Sequence, residues 1–240
     1  MADLYDCSVS TQLLSGMRLA RAAIARGELA VIPTDTVYGV AADAFQPRAV
    51  QRLLDAKGRT RQSPPPVLIP GSPTLDALAV GIPDSARQLV DAFWPGGLTL
   101  ILKATPSLAW DLGETGGTVA LRMPDDPIAL ELLADTGPLA VSSANLTGQP
   151  AATTAQQALA MLEDSVTVYL DGGERPEAVA STIVDATRAD GTLRVVRHGA
   201  VSDERLREIV GELLLPDAGS PASGSPAPGT PAPRTSGPGA

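Results

Sequence analysis

Residues 139–150 read Leu-Ala-Val-Ser-Ser-Ala-Asn-Leu-Thr-Gly-Gln-Pro, an apolar run that ends in two hydroxyls, an amide, a third hydroxyl and Gly148. Compact hydrogen-bonding groups at a strand end suit a polar ligand at the carboxyl edge of an open α/β sheet. The same residue types also build a capped turn before a helix. Ile32-Pro33-Thr34-Asp35-Thr36-Val37-Tyr38-Gly39 adds two more hydroxyls, a carboxylate and a glycine that permits close backbone approach, although an Asx or ST turn uses the same chemistry. Lys57-Gly58-Arg59, with Arg61 beyond, sets an ammonium and a guanidinium at a helix end. There they complement the helix dipole, or meet phosphate or carboxylate oxygens, the lysine as a point charge and the arginine as a fork. Arg122 closes one apolar strand, Ser181-Thr182 opens another, and Arg197 ends a third ahead of His198-Gly199. Four cations (Lys57, Arg59, Arg122 and Arg197) and several strand-end hydroxyls suit a polyanionic small molecule that carries a further polar group.

Other chemistries find little support. Neither G-x-x-x-x-G-K-[ST] nor G-x-G-x-x-G occurs, so Walker-type and dinucleotide-binding loops are not indicated. His198 is the only histidine and has no nucleophile elbow to serve; Cys7 is the only cysteine, which removes internal disulfides and a Cys/His zinc site. The net charge of −9 argues against a broad phosphate-binding surface, and 3% aromatic residues leave few stacking platforms for single strands. No apolar run is long enough to span a bilayer and no apolar signal segment follows Met1, which predicts a soluble, cytoplasmic protein. Sixteen arginines stand against two lysines, Lys57 and Lys103, a bias that singles out Lys57 as a chemically chosen ammonium.

The elements that must hold these groups alternate. Apolar spacing predicts helices over residues 11–26, from Pro47 to Gly58, over 74–80 and 84–93, from Asp126-Pro127 onward, over 154–163, and from Ser202 through Leu215. Strands are predicted at 29–33, 67–69, 98–102, 118–121, 139–142, 166–170, 181–185 and 193–197. This pattern gives an α/β domain on a largely continuous, twisted mixed sheet flanked by helices, because the late strands have few helices between them. Residues 1–9 read as an N-terminal extension and 10–215 as the domain. Residues 216–240, with seven Pro and five Gly, lack a core-forming pattern and are expected to be disordered.

Seven segments in order resemble the YrdC family of L-threonylcarbamoyladenylate synthases: PTDTVYG at 33–39, KGR at 57–59, PGGLTLIL at 95–102, VALRMP at 119–124, SSANLTG at 142–148, STIVD at 181–185 and RHG at 197–199. The resemblance spans about residues 10–210 and implies a central positively charged cavity. It implies conversion of L-threonine, bicarbonate and ATP into threonylcarbamoyl-AMP and pyrophosphate, by a nucleotidyltransferase without a second C-terminal domain. Threonine would meet Thr36, Thr118, Arg122, Ser142 and Ser181; ATP would meet Lys57, Arg59, Ser143, Asn145 and Arg197, with Lys57 and Arg59 as the catalytic cations. Mg²⁺ would arrive with ATP rather than occupy a protein cage, and a tRNA threonylcarbamoyl transferase complex would consume the product. Two departures stand out. Gly97 replaces a frequent proline, and Gln62-Ser63-Pro64-Pro65-Pro66 stands where many members have His-Pro-Leu. A non-catalytic module that binds tRNA or double-stranded RNA, and a carbamoyl transferase, are the competing readings.

Overall fold

The computed structural model describes residues 2–175 and 179–216. The segment expected to be disordered therefore lies, but for Pro216, outside the described residues. The strands are β1 (Asp3–Asp6), β2 (Ala30–Ile32), β3 (Gly39–Asp43), β4 (Val67–Leu68), β5 (Ala79–Val80), β6 (Leu98–Ala104), β7 (Thr118–Arg122), β8 (Leu139–Ser143), β9 (Val168–Asp171), β10 (Thr182–Asp185) and β11 (Arg194–Arg197). The helices are α1 (Ser10–Ala25), α2 (Pro47–Lys57), α3 (Ser72–Leu78), α4 (Asp84–Phe93), α5 (Pro127–Thr136), α6 (Ala155–Leu162) and α7 (Asp203–Val210). All of these strands join one sheet in the order β1-β9-β2-β3-β8-β4-β7-β6-β10-β11, with β5 hydrogen-bonded to β6. β1 and β2 run parallel to β9, β4 to β7 and β10 to β6, while β2–β3, β3–β8, β4–β8, β6–β7 and β10–β11 are antiparallel. The mixed α/β sheet with flanking helices is the architecture that the alternation predicts.

Local chemistry fixes the element ends that reach the site. Pro47 starts α2, whose Ala49, Val50, Leu53 and Leu54 are buried, and Gly58 stops it in the left-handed region at φ 64°. That turn throws Arg59 back toward the sheet. Asp126 caps α5 by accepting from the backbone N–H of Ile128 and Ala129, both at 3.0 Å. In β6 and β7 the period-two alternation divides two environments. Leu98, Leu100, Leu102, Val119 and Leu121 join a core with Leu89, Val90 and Phe93 of α4, while Thr99, Ile101, Thr118, Ala120 and Arg122 line a cavity.

Three strands escape the sequence pattern. Apart from Val40, Gly39–Asp43 consists of Gly, two Ala and Asp, poor strand formers by propensity, yet it runs between β2 and β8 with its first four residues buried. A Cβ on Gly39 would come within 2.5 Å of Val141 Cγ1, so this position must be small. Asp3–Asp6, within the stretch read as an extension, pairs in parallel with β9. Ala79–Val80 adds two residues of pairing to β6. The last helix is shorter than predicted. Gly211, at φ 55°, ends α7 and starts a 3₁₀ turn, and Leu214 then bridges to Leu193.

Candidate active site

A cavity of about 320 Å³ opens on the sheet face opposite α4. Eight of the ten residues singled out from the sequence line it: Thr36, Arg59, Thr118, Arg122, Ser142, Ser143, Ser181 and Arg197. They come from the turn after β2, the end of α2, both ends of β7, the end of β8, the start of β10 and the end of β11. Lys57 and Asn145 lie behind this wall.

The three guanidiniums are each held by part of their donor set. Arg122 is buried; its Nε donates to Gly96 O at 2.9 Å, Nη1 to Thr36 Oγ1 at 2.9 Å and Nη2 to Asp35 Oδ1. Asp35 Oδ1 also accepts from the Asp125 N–H at 3.0 Å, which fixes the carboxylate. Arg59 Nη1 donates to Ser142 Oγ at 3.0 Å. Arg197 donates through Nε and Nη2 to Ser181 O, at 3.0 and 2.7 Å, and through Nη2 to Ser181 Oγ at 3.0 Å. Burial lowers the pKa of Arg122, and Asp35 opposes that shift. Burial, then repulsion from Arg122 and Arg59, lowers the pKa of Arg197. Among the described residues Arg122 alone of the three has a carboxylate partner, Asp35. Arg59 and Arg197 thus stand on the cavity wall with no carboxylate partner among the described residues, an arrangement suited to an anion.

Lys57 behaves differently. It is 1% exposed, and its ammonium donates to Ser143 O, to Asn145 O at 2.7 Å and to Asn145 Oδ1 at 3.3 Å. Its own carbonyl accepts from Thr147 N at 3.1 Å and Thr147 Oγ1 at 2.8 Å. Asn145 Nδ2 donates to Leu146 O and Gln149 O, at 2.8 and 2.7 Å. Lys57 and Asn145 therefore clamp the segment after β8 to the end of α2. Burial, with Arg59 adding repulsion, brings the Lys57 pKa down to about 7.

The other lining groups extend the sequence reading. Thr34 Oγ1 donates to Val37 O at 2.6 Å and lies 3.0 Å from Thr36 Oγ1. Thr118 Oγ1 donates to Thr115 O at 2.7 Å. Thr99 was not singled out, although it is the one hydroxyl in the run Leu98–Leu102; its Oγ1 lies 2.8 Å from Ser181 Oγ. Val37, Val141 and Ile183, beside the hydroxyls in sequence, also line the cavity, as do Pro64, Pro65 and Pro66.

Residues 22–199 match the Sua5_yciO_yrdC family model, described as "Telomere recombination". The chain belongs to the Sua5/YciO/YrdC family. A Mycobacterium tuberculosis H37Rv protein named "Putative threonylcarbamoyl-AMP synthase" is 50% identical over 211 residues, 88% of this chain and 96% of that protein. The threonylcarbamoyl-AMP synthase of Pyrococcus abyssi is 37% identical over 84% of this chain and 59% of its own length. The crystal structure of P. abyssi Sua5 complexed with L-threonine matches with a TM-score of 0.81 and 32% identity, covering 95% of this chain and 67% of that one.

The two departures from the family pattern have structural counterparts. At Gly97 a Cβ would come within 2.7 Å of Ala200 Cβ, so the backbone here packs directly against the turn after β11. The stretch that replaces His-Pro-Leu places its prolines on the cavity wall, and Pro66 O accepts from Val141 N at 2.8 Å.

Proposed function

We propose that this chain makes threonylcarbamoyl-AMP and pyrophosphate from L-threonine, bicarbonate and ATP, and that the reaction occurs in this cavity. The observation that carries the reading is the convergence of three guanidiniums, one with a carboxylate partner, on a hydroxyl-lined cavity. Threonine would lie among Thr36, Thr118, Arg122, Ser142 and Ser181, and the ATP phosphates against Arg59, Ser143 and Arg197. Each guanidinium has donors to spare: a guanidinium offers five N–H groups, and the protein engages part of each set.

Bicarbonate and the threonine amine condense to a carbamate with loss of water. A carbamate oxygen then bonds to the α-phosphorus as the bond to the pyrophosphate oxygen breaks, which makes the enzyme a nucleotidyltransferase. The side chains have no proton to remove in that second step; they orient the carbamate and stabilise charge on the departing pyrophosphate. Arg59 and Arg197 are the residues for that task, and Lys57 with Asn145 keeps the β8 end in place beneath them. Among the described residues no three His, Cys, Asp or Glu side chains cluster as they would to hold a metal ion. In this reading Mg²⁺ is liganded by ATP oxygens and water and enters as part of the substrate.

Among the described residues no helix is long and apolar enough to cross a membrane. The reading places the protein in the cytoplasm, where its product supplies the threonylcarbamoyl group of the adenosine beside the tRNA anticodon through a tRNA threonylcarbamoyl transferase complex. Pyrophosphate release is measured with each substrate omitted in turn. Release that needs L-threonine, bicarbonate and Mg-ATP together is expected; equal release without threonine would overturn the reading.

A further inference from the structure

Asp35 stands between Thr34 and Thr36, which both line the cavity, yet Asp35 itself is not part of that wall. Its Oδ1 accepts from Arg122 Nη2 and, at 3.0 Å, from the Asp125 N–H. The Arg122 and Asp35 side chains are 7% and 17% exposed, so water and salt screen the pair little. The carboxylate of nearby Asp126 is taken by Arg175 at 2.9 Å and leaves Arg122 to Asp35. Arg122 and Asp35 together sum to zero charge. Arg59 and Arg197 are held instead by hydroxyl and carbonyl oxygens, and among the described residues no carboxylate offsets them. One cavity therefore joins two electrostatic environments: a neutral pair at the end of β7, and two uncompensated cations at the ends of α2 and β11.

The two ligand classes differ in the same way. A free amino acid is a zwitterion with no net charge, whereas a phosphate chain is a polyanion. A guanidinium fork fits a carboxylate and a phosphate alike, so shape does not sort them. Charge does. An uncompensated guanidinium would draw the polyanion most strongly and repel the amino acid's ammonium; a guanidinium paired with a carboxylate gives up that preference. We propose that Asp35 is a specificity-determining residue that, by neutralising Arg122, keeps phosphate chains and pyrophosphate out of the amino-acid subsite. The inference rests on the proposed function and deepens it with a residue that acts through Arg122 and touches no substrate.

The test is equilibrium binding of L-threonine, titrated at increasing inorganic pyrophosphate, with thermal melts as a check on folding. In the wild type pyrophosphate should occupy the Arg59 and Arg197 side and change the Kd for threonine by less than about twofold. Asp35→Asn keeps Oδ1 as an acceptor and removes the charge. There the apparent Kd should rise linearly with pyrophosphate, the mark of competition, and by at least about tenfold over the same range, since a repulsion worth several kcal/mol is withdrawn. Asp35→Ala is a second neutral variant and carries the same prediction if the asparagine protein fails to fold. Asp35→Glu retains the charge and should exclude pyrophosphate as the wild type does, even where the longer side chain alters the affinity for threonine itself. A purely structural Asp35 would leave pyrophosphate without effect on threonine in both neutral variants, which would overturn the proposal. Competition of equal strength in the wild type or in Asp35→Glu would overturn it too. A folded wild-type protein that does not bind threonine at all would overturn the underlying reading, and the inference with it.

Discussion

Lys57 and Arg59 are separated by one glycine and belong to the same three-residue motif, yet they do opposite work. Lys57 turns away from the cavity and spends all three ammonium donors on Ser143 O, Asn145 O and Asn145 Oδ1. Arg59 reaches the cavity and, of its five donors, spends one on Ser142 Oγ. The difference is donor arithmetic before it is charge. An ammonium held by three protein acceptors has nothing left to offer a ligand, whereas a guanidinium can be fixed from one side and bind from the other. The left-handed turn at Gly58 makes the division, sending consecutive cations to the closed and the open side of β8.

The largest effect is expected on the open side. Arg59→Ala should lower kcat/KM for ATP roughly a hundredfold, in line with losing a charge-assisted contact that strengthens as pyrophosphate departs, with a melting temperature near that of the wild type. Lys57→Ala should lower turnover at least about tenfold by a different route. It leaves buried carbonyls without a donor, at a cost of about 1–3 kcal/mol, so the melting temperature should fall by several degrees in parallel. Turnover and thermal melts on the two variants decide the matter. A Lys57→Ala protein that melts like wild type but has lost ATP affinity would mean that the ammonium leaves its carbonyls to meet phosphate, and the contrast would collapse.

That contrast marks the boundary of what the sequence could disclose. The fold class was legible because helical and strand periods alternate over most of the chain, and the cavity residues because polar groups recur at strand ends. The Gly39–Asp43 strand was not, since its small residues are chosen for close packing between β2 and β8 and carry no strand propensity. Thr99 stood in plain view, but period-two parity says only that it opposes Leu98 and Leu100, not which of the two faces holds the cavity. The orientation of Lys57 was beyond reach, because its partners are two backbone carbonyls and a side-chain oxygen 86–88 residues away. Backbone acceptors leave no mark on residue type.

The open wall also presents apolar side chains to the cavity. Val37, Val141 and Ile183 line the cavity among the hydroxyls, a niche suited to one methyl group. Serine should therefore be used about tenfold less efficiently than threonine, within the range for one methyl in an apolar pocket. Valine should be rejected more strongly, because the site's buried donors and acceptors would lose their partner. Comparing kcat/KM for the three amino acids tests this directly. If valine matches threonine, the hydroxyl groups around the cavity do not recognise the substrate hydroxyl.

The closed side makes the smallest and sharpest prediction. In the unfolded chain Lys57 titrates at its ordinary 10.5, and in the folded protein burial brings it to about 7. Below pH 7 both states hold the proton, so stability does not respond to this group. Between 7 and 10.5 the unfolded state binds a proton that the folded state has released, and this group's contribution to stability rises with pH. The neutral amine keeps two N–H donors for three acceptors, so the clamp on the β8 end loosens over the same range while the burial of charge is relieved. Lys57→Met removes the titration and nearly preserves the volume. The difference in melting temperature between wild type and Lys57→Met should widen in favour of the wild type as pH rises from 7 to 9, by a few degrees, while turnover per folded molecule of the wild type falls. Parallel melting curves across that range would show that the three oxygens hold the proton in place, and that the corner stays a fixed cationic clamp at every pH where the enzyme works.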